Sequence, residues 1–325
     1  MRAILFDKPG DESVLYVGEA AAPLLGADEL RIRVAACAVN RADLVQRQGG
    51  YPAPPGASTI LGLECAGVVT EVGASVRGFA SGERVMALLA GGGYAEEVVV
   101  HAGSAMKVPP ALSLEEAAAI PEVFLTVFQN VFQLAQLPND GWLLVHGGGS
   151  GIGTASIQLA KRVGARVIVT AGSDAKCEQC RKLGADVAVN YRNAKFVDAV
   201  KEATGGRGVD VILDSIGAPY LADNLASLAV GGRMSVIGMM GGPKAELNLG
   251  QVLMKRLSII GSTLRARSVG EKAALVAGFL ARFGDDLAAG RIRAVVHRVL
   301  PLADAAEAHR ALAASEHFGK IVLTP

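Results

Sequence analysis

Two kinds of hydrophobic spacing divide the chain. Over roughly the first third, apolar and β-branched positions come in short alternating or continuous runs, as in ELRIRVAACAVN, CAGVVTEVGASV and YAEEVVVHAG, with Gly and Pro between them. That spacing predicts short strands and tight turns, hence a mostly β domain. The Pro-rich stretch YPAPPGAS cannot hold a regular helix and reads as a loop. From about Pro121 the pattern changes. A helical stretch, PEVFLTVFQNVFQLAQL, precedes the apolar strand WLLVHG, a Gly-rich turn and the helix GTASIQLAKRVG. Strand ARVIVTAG, helix AKCEQCRKLGA, strand VAVNY, helix KFVDAVKEAT, strand VDVILDSIG, helix YLADNLASLAV and strand RMSVIGMM follow, and LSIIGSTL reads as one more strand. Such alternation predicts a parallel sheet with helices on both faces. The tail opens with a helix, EKAALVAGFLARFG, and returns to strand in AVVHRVLP and KIVLTP. It is expected to fold back onto the first domain. The expected division is residues 1–120 with 262–325 as one domain, and 121–261 inserted as the other.

Composition narrows the classes. With 325 residues, 51% of them hydrophobic, the chain can bury two cores. Lys plus Arg number 32 against 31 acids, so no net field draws it to nucleic acid or an anionic membrane. The polar N-terminus lacks a signal peptide's apolar core, and no apolar stretch is long enough to span a bilayer, which points to a cytoplasmic protein. Four cysteines do not make a disulfide framework. Cys177 and Cys180 form a C-x-x-C in a polar helical pattern with no second Cys or His pair to complete a metal site, and read as ordinary helix residues.

The strongest local signal is LLVHGGGSGIGTASIQLA, a strand running into a glycine turn that opens a helix. This is the context of a dinucleotide fingerprint, with Ser150 where the middle glycine of Gly148-Gly149-Ser150-Gly151-Ile152-Gly153 would stand. A glycine turn lets the backbone approach a pyrophosphate, and the helix N-terminus stabilises its charge. An NAD site usually places an acid at the end of the second strand, whereas here that end reads Thr170-Ala171-Gly172-Ser173, with no acid before Asp174. Lys176 follows, and Tyr191 with Arg192 end the third strand. A small polar residue plus a cation suits a 2′-phosphate, so the expected cofactor is NADPH.

These residues resemble a known family. FDKPG, NRADLVQRQGGY, PPGAS, LGLECAGVV, MALLAGGGYAE, AAAIPEVFLTVFQ, VDVILDSIG and GKIVL, with the fingerprint, are similar to the zinc-independent quinone oxidoreductases of the medium-chain dehydrogenase/reductase superfamily. The likeness is greatest to the stress-inducible NADPH:quinone oxidoreductase branch. The resemblance implies an α/β fold: a doubly wound Rossmann sheet plus a GroES-like, mostly β substrate domain, with the active site in the cleft between. It implies NADPH-dependent reduction of quinones and other electrophilic carbonyl compounds. It places Asn40 and Thr126 by the nicotinamide; Ser150, Gly151, Ile152 and Gly153 on the pyrophosphate; and Ser173, Lys176 and Tyr191 around the adenosine phosphate. Ser215 and Gly217 would border the adenine ribose, and Met239, Met240 and Gly241 would flank the nicotinamide. Ser262 and Leu264 are expected nearby, with Phe318, Gly319 and Lys320 closing the cleft.

Zinc-dependent relatives use a Cys, a His or Glu, and a further Cys; here the first position reads Asn40, and Glu64 alone remains of the set. One carboxylate cannot assemble a tetrahedral site, so no metal is expected. Tyr51, on the Pro/Gly-rich loop, is the candidate for a hydroxyl facing the substrate, and Asn40, at the lost metal position, for a contact with the nicotinamide or the substrate. Asp43 reads as a helix cap and His146 as a residue satisfying buried backbone. Two other readings stay open: an enoyl or alkenal reductase on the same scaffold, and a cofactor-bound protein that senses, or binds RNA, without catalysis. RMSVIGMM and LSIIGSTL end the sheet with apolar text, so a homodimer is expected, with a tetramer open.

Overall fold

In the computed structural model, which describes residues 1–325, the early chain forms the short strands that its spacing predicts. They are β1 (Arg2–Leu5), β2 (Tyr16–Glu19), β3 (Glu29–Ala38), β4 (Glu64–Val72), β5 (Arg84–Leu88), β6 (Glu97–His101) and β7 (Ala105–Lys107). Strands and helical segments then alternate through β8 (Trp142–His146), β9 (Arg166–Ala171), β10 (Val187–Asn190), β11 (Val209–Asp214), β12 (Leu228–Val236) and β13 (Ser258–Gly261). β14 (Val296–Pro301) and β15 (Lys320–Thr324) close the chain. Internal contacts define two units: Met1–Leu125 with Leu264–Pro325, and Thr126–Thr263.

In the first unit, β3 is the spine. It pairs antiparallel with β4 along one side, and with β6 and β15 along the other. Leu30, Ile32 and Val34 of β3 are buried while Arg33 between them is exposed, the period-two pattern of a half-buried strand. They join Leu61, Tyr94, Ile321 and Leu323 in one core, in which each large apolar side chain contributes roughly 1.5–3 kcal/mol. The pairing of Val322 with Ala38 and Leu323 with Cys37 draws the C-terminal strand onto the end of β3. That register brings Lys320 beside the loop where Asn40 begins the helix Arg41–Arg47.

The second unit is an all-parallel sheet in the order β10-β9-β8-β11-β12-β13, the doubly wound arrangement with its switch between β8 and β11. Every residue of β8 is buried, as expected of a central parallel strand covered on both faces. Leu144, Ile168, Ile212 and Met234 anchor its core.

Three details depart from the sequence reading. The helix within YLADNLASLAV stops at Ser227, and Leu228 already pairs with Val209 in β12. Gly231 and Gly232 cannot sustain a helix cheaply, and Gly231 sits at φ 79°. The IGMM end of RMSVIGMM leaves the sheet after Val236: Ile237 N–H donates to the Asp214 carbonyl and Met240 N–H to that of Ser215, so the segment folds over the end of β11. Finally, the helix Pro121–Val127 continues as a π-helical stretch, Phe128–Leu134, in which Ala135 N–H donates to the Asn130 carbonyl. No helix is long and apolar enough to cross a membrane.

Candidate active site

In the second unit, β8 passes straight into the glycine turn. Gly147 has φ 77°, and a Cβ on Gly148 would stand 2.6 Å from Val169 Cβ. A Cβ on Gly153 would meet the carbonyl oxygens of Gly147 and Gly148 at 2.4 Å each. Only glycine lets strand, turn and helix approach this closely. Ser150 is the N-cap of the helix Gly151–Arg162, and its Oγ accepts from Gly153 N–H at 3.0 Å. The hydroxyl proton stays available to donate outward, and the first N–H groups of the helix have no intrahelical acceptor. Together they form an anion cradle.

Apart from Thr126, in the helix Pro121–Val127, the other sequence-derived positions of this unit follow the carboxyl ends of neighbouring strands. Ser173 caps the helix Asp174–Leu183, accepting from Lys176 N–H at 3.3 Å. Tyr191 leans over Gly172, where a Cβ would lie 2.8 Å from its hydroxyl oxygen. Asp174, the first acid after β9, accepts from Asn190 Nδ2 at 2.8 Å. After β11 the Asp214 carboxylate accepts from the N–H groups of Ile216 and Gly217 and so shapes the turn carrying Ser215 and Gly217. Met239 and Met240 are exposed, and Gly241 N–H donates to the Ile216 carbonyl. The Ser262 hydroxyl accepts from Gln129 Nε2, and the Thr126 carbonyl accepts from Asn130 Nδ2 at 2.8 Å. His146 is buried and held by side chains, Asn224 Oδ1 at 2.7 Å and Thr170 Oγ1 at 3.3 Å, rather than by backbone.

The first unit gathers a different chemistry. Glu64 is fully buried, and its Oε1 accepts from Asn40 Nδ2 at 2.9 Å and pairs with Lys320 Nζ at 2.8 Å. Oε2 accepts from Glu122 N–H at 2.9 Å. The Lys320 ammonium, 4% exposed, also donates to the Val39 carbonyl at 2.8 Å and to Asn40 Oδ1 at 2.5 Å. Asn40 thus uses both amide protons, on Glu64 and on the Ala38 carbonyl, and keeps one acceptor lone pair. Phe318 and Gly319 lead into Lys320, and Leu264 is buried beside Arg265 in the chain.

Tyr51 is partly buried, and the Arg265 guanidinium lies over its ring, 5.3 Å from the centroid. Burial, and next the nearby charge of Glu122, raise the Tyr51 hydroxyl above its ordinary pKa, with Arg265 opposing them. Glu122 is pushed up to about 8, by burial first and then by the charge of Glu64. Asp43 does more than cap: it accepts from Asn40 N–H at 2.8 Å and ends a buried chain. Arg47 donates to His309 Nδ1, leaving Nε2–H for Tyr94, whose hydroxyl donates to Asp43. Burial holds Asp43 up at about 6 and, helped by Arg47, takes His309 down to about 3. Sequence reasoning missed Arg265, Glu122 and this chain, because nothing in the local spacing of a charged residue says that it is buried.

The alcohol dehydrogenase GroES-like domain model matches residues 26–110, and the zinc-binding dehydrogenase model matches 151–278. The quinone oxidoreductase of Rattus norvegicus is 31% identical over 326 residues, covering 99% of this chain and 97% of the relative. The chain belongs to the medium-chain dehydrogenase/reductase superfamily. A second superfamily match, a phenolphthiocerol/phthiocerol polyketide synthase of Mycobacterium tuberculosis, is 31% identical over 98% of this chain, which spans only 14% of that relative. Among solved members, the Escherichia coli quinone oxidoreductase complexed with NADPH superposes with a TM-score of 0.89 at 31% identity, covering 100% of both chains. An NAD-dependent alcohol dehydrogenase gives 0.88 at 36% identity, again over 100% of both. The CurK enoyl reductase gives 0.88 at 27% identity, over 99% of this chain and 98% of that one.

One of the matching models carries zinc in its description, but the donors here are unsuited to that metal. Both Glu64 oxygens are already engaged, one of them by an ammonium group, and no three His, Cys, Asp or Glu side chains converge anywhere. These residues do not fit a tetrahedral zinc site.

Proposed function

We propose that this chain is an NADPH-dependent, zinc-independent quinone reductase of the stress-inducible quinone oxidoreductase branch. When bound, the dihydronicotinamide supplies the hydride. Ser150, Gly151, Ile152 and Gly153 would hold the pyrophosphate on the helix N-terminus. Ser173, Lys176 and Tyr191 would receive the 2′-phosphate, where no strand-end acid repels it. Thr126, Ser215, Gly217, Met239, Met240, Gly241, Ser262 and Leu264 complete the proposed cofactor contacts, with Phe318, Gly319 and Lys320. Tyr51 would donate its hydroxyl to a substrate oxygen, and Asn40, locked by Glu64 and Lys320, would offer its remaining lone pair.

The observation that carries this reading is the Lys320 ammonium on Glu64, 2.8 Å apart and buried. A fixed cation already neutralises the one carboxylate left from a metal set. Alcohol oxidation relies on a Lewis acid to stabilise an alkoxide, whereas a quinone spreads added charge over its ring. The test is NADPH oxidation with a para-quinone, with and without a chelator. Undiminished turnover in chelator supports the reading; activity that chelation abolishes and zinc restores would sink it.

The likeness to an enoyl reductase and to a segment of a polyketide synthase favours a second reading, reduction of an activated carbon–carbon double bond. Parallel assays with an α,β-unsaturated aldehyde rank the two. We also propose a homodimer formed at the β13 edge, where Ile259 is exposed and the preceding helix Leu249–Lys255 exposes Leu249, Leu253 and Met254. A monomeric mass by light scattering at micromolar concentration would refute it.

A further inference from the structure

Arg265 is 3% exposed, and its guanidinium is only partly satisfied. Nε donates to the Ala90 carbonyl at 2.7 Å and Nη1 to the Tyr51 carbonyl at 3.1 Å, which ties the Tyr51 loop to the segment after β5. Nη2 is buried and has no hydrogen-bond partner. Its neighbours do not supply one. Asp43 and Glu122 act on the guanidinium through space without bonding to it, and Lys272 Nζ donates to the Arg265 carbonyl at 2.7 Å, away from the side chain. A buried donor on a cation left without an acceptor costs free energy, and a catalytic role is one reason for a fold to keep it.

We infer that Arg265 is a catalytic residue that receives, on Nη2, the substrate oxygen on which negative charge develops. The inference rests on the reductase reading and deepens it. A quinone that accepts a hydride becomes a hydroquinone monoanion, and an enone becomes an enolate; in both, the electron pair comes to rest on the former carbonyl oxygen. A proton from solvent then completes the product. Arg265 neither gives nor takes that proton. It holds a fixed positive charge at the oxygen, the service that a Lewis acid performs in metal-dependent relatives. The Tyr51 ring beneath the guanidinium keeps it in place from one side, and the two carbonyl bonds fix its plane. Burial lowers the Arg265 pKa, but a guanidinium stays charged throughout the working range.

The test uses the full-length protein and the variants Arg265→Met and Arg265→Lys. The binding probe is 4-nitrophenol, whose yellow phenolate mimics the charged oxygen and requires neither cofactor nor turnover. With wild-type protein the apparent pKa of the bound phenol should fall by about one unit or more, as for an acid held against an opposite charge. Arg265→Met should abolish that shift and Arg265→Lys should restore part of it. In steady state with NADPH and a para-quinone, Arg265→Met should lose about 100- to 1,000-fold in kcat/KM, the usual effect of removing one oxyanion donor. NADPH affinity by calorimetry should stay within about threefold.

A purely structural clamp predicts lowered melting temperature in both variants with no change in the phenol pKa, and that result overturns the inference. Should Arg265→Met fail to fold, an unshifted phenol pKa on the wild-type protein, or on a folded Arg265→Lys, overturns it equally. A wild type that shifts the phenol yet reduces neither quinone nor enone retains the oxygen site and refutes the reductase reading. A wild type that reduces quinone with an Arg265→Met variant equally active retains that reading and refutes the role of Arg265.

Discussion

The glycine turn of the second unit and the buried charges of the first are built in opposite ways. The turn uses backbone: Gly148, Gly153 and the Ser150 cap lie within six consecutive residues, and their geometry follows from the absence of Cβ atoms. The charged cluster uses side chains brought from far apart. Asn40 and Glu64 are separated by 24 positions, Asn40 and Lys320 by 280. A cradle of N–H dipoles binds an anion without carrying charge of its own. A cluster of formal charges must first neutralise itself, and whatever it leaves unpaired is what it offers a ligand. Glu64, Asn40 and Lys320 are nearly saturated, whereas Arg265 is not.

The most forceful way to break this contrast is to unbalance the saturated cluster. Lys320→Met leaves the fully buried Glu64 carboxylate without its cation, and should destabilise the protein by about 3–5 kcal/mol. Glu64→Gln alone should cost a similar amount. The double variant should recover a large part of either loss, because a buried pair is far worse broken than removed. Urea titrations of the four proteins give the coupling free energy. Additive losses would show that Lys320 and Glu64 do not act as a pair.

The contrast also explains what could be read from the sequence. The alternating strands and helices, the parallel sheet and the glycine turn are local patterns, legible because hydrophobic period and turn chemistry act within about ten residues. The exceptions are local conflicts that tertiary pairing decided. Leu228 left its helical run to pair with Val209, and the Met239–Met240 segment left the sheet to hydrogen-bond over β11. In the first unit Asn40, Glu64 and Lys320 were each singled out, yet the bonding of Lys320 to the other two was not, since it exists only once β15 pairs with β3. Arg265 and Glu122 gave no signal at all. LRARS and IPEVF look like any exposed charge beside apolar neighbours, and burial of a charge is a property of the fold.

A smaller effect sharpens the other side of the contrast. If Ser173, Lys176 and Tyr191 receive a 2′-phosphate, Lys176→Ala should weaken NADPH binding about tenfold, about 1.4 kcal/mol, and leave NADH within about twofold. The comparison matters because the solved relatives include an NAD-dependent enzyme as well as an NADPH complex. Calorimetric titration with both dinucleotides decides it. Equal losses for the two would remove the phosphate from this corner and leave Lys176 a general electrostatic role.

A further effect isolates one charge of the first unit by its pH dependence. The Glu122 carboxyl is pushed up to about 8, with burial and Glu64 raising it against Lys320 and Lys272. A raised acid favours folding while it is protonated. Its contribution is therefore complete below its unfolded value, near the usual carboxylate range, and is lost as pH climbs through about 8. Asp43 behaves in the same sense but has finished titrating soon after about 6, so the window from pH 6.5 to 8.5 belongs mainly to Glu122. Glu122→Gln keeps the backbone N–H that donates to Glu64 and cannot ionise. Wild type should thus lose thermal stability relative to Glu122→Gln between pH 6.5 and 8.5, with the difference levelling off above. Groups that titrate alike in both proteins cancel in this difference. Calorimetric melts at half-unit pH steps would show it, and a difference that stays constant across the window would mean that Glu122 is already ionised at neutral pH, so that the cluster around Arg265 carries one more negative charge than its burial implies.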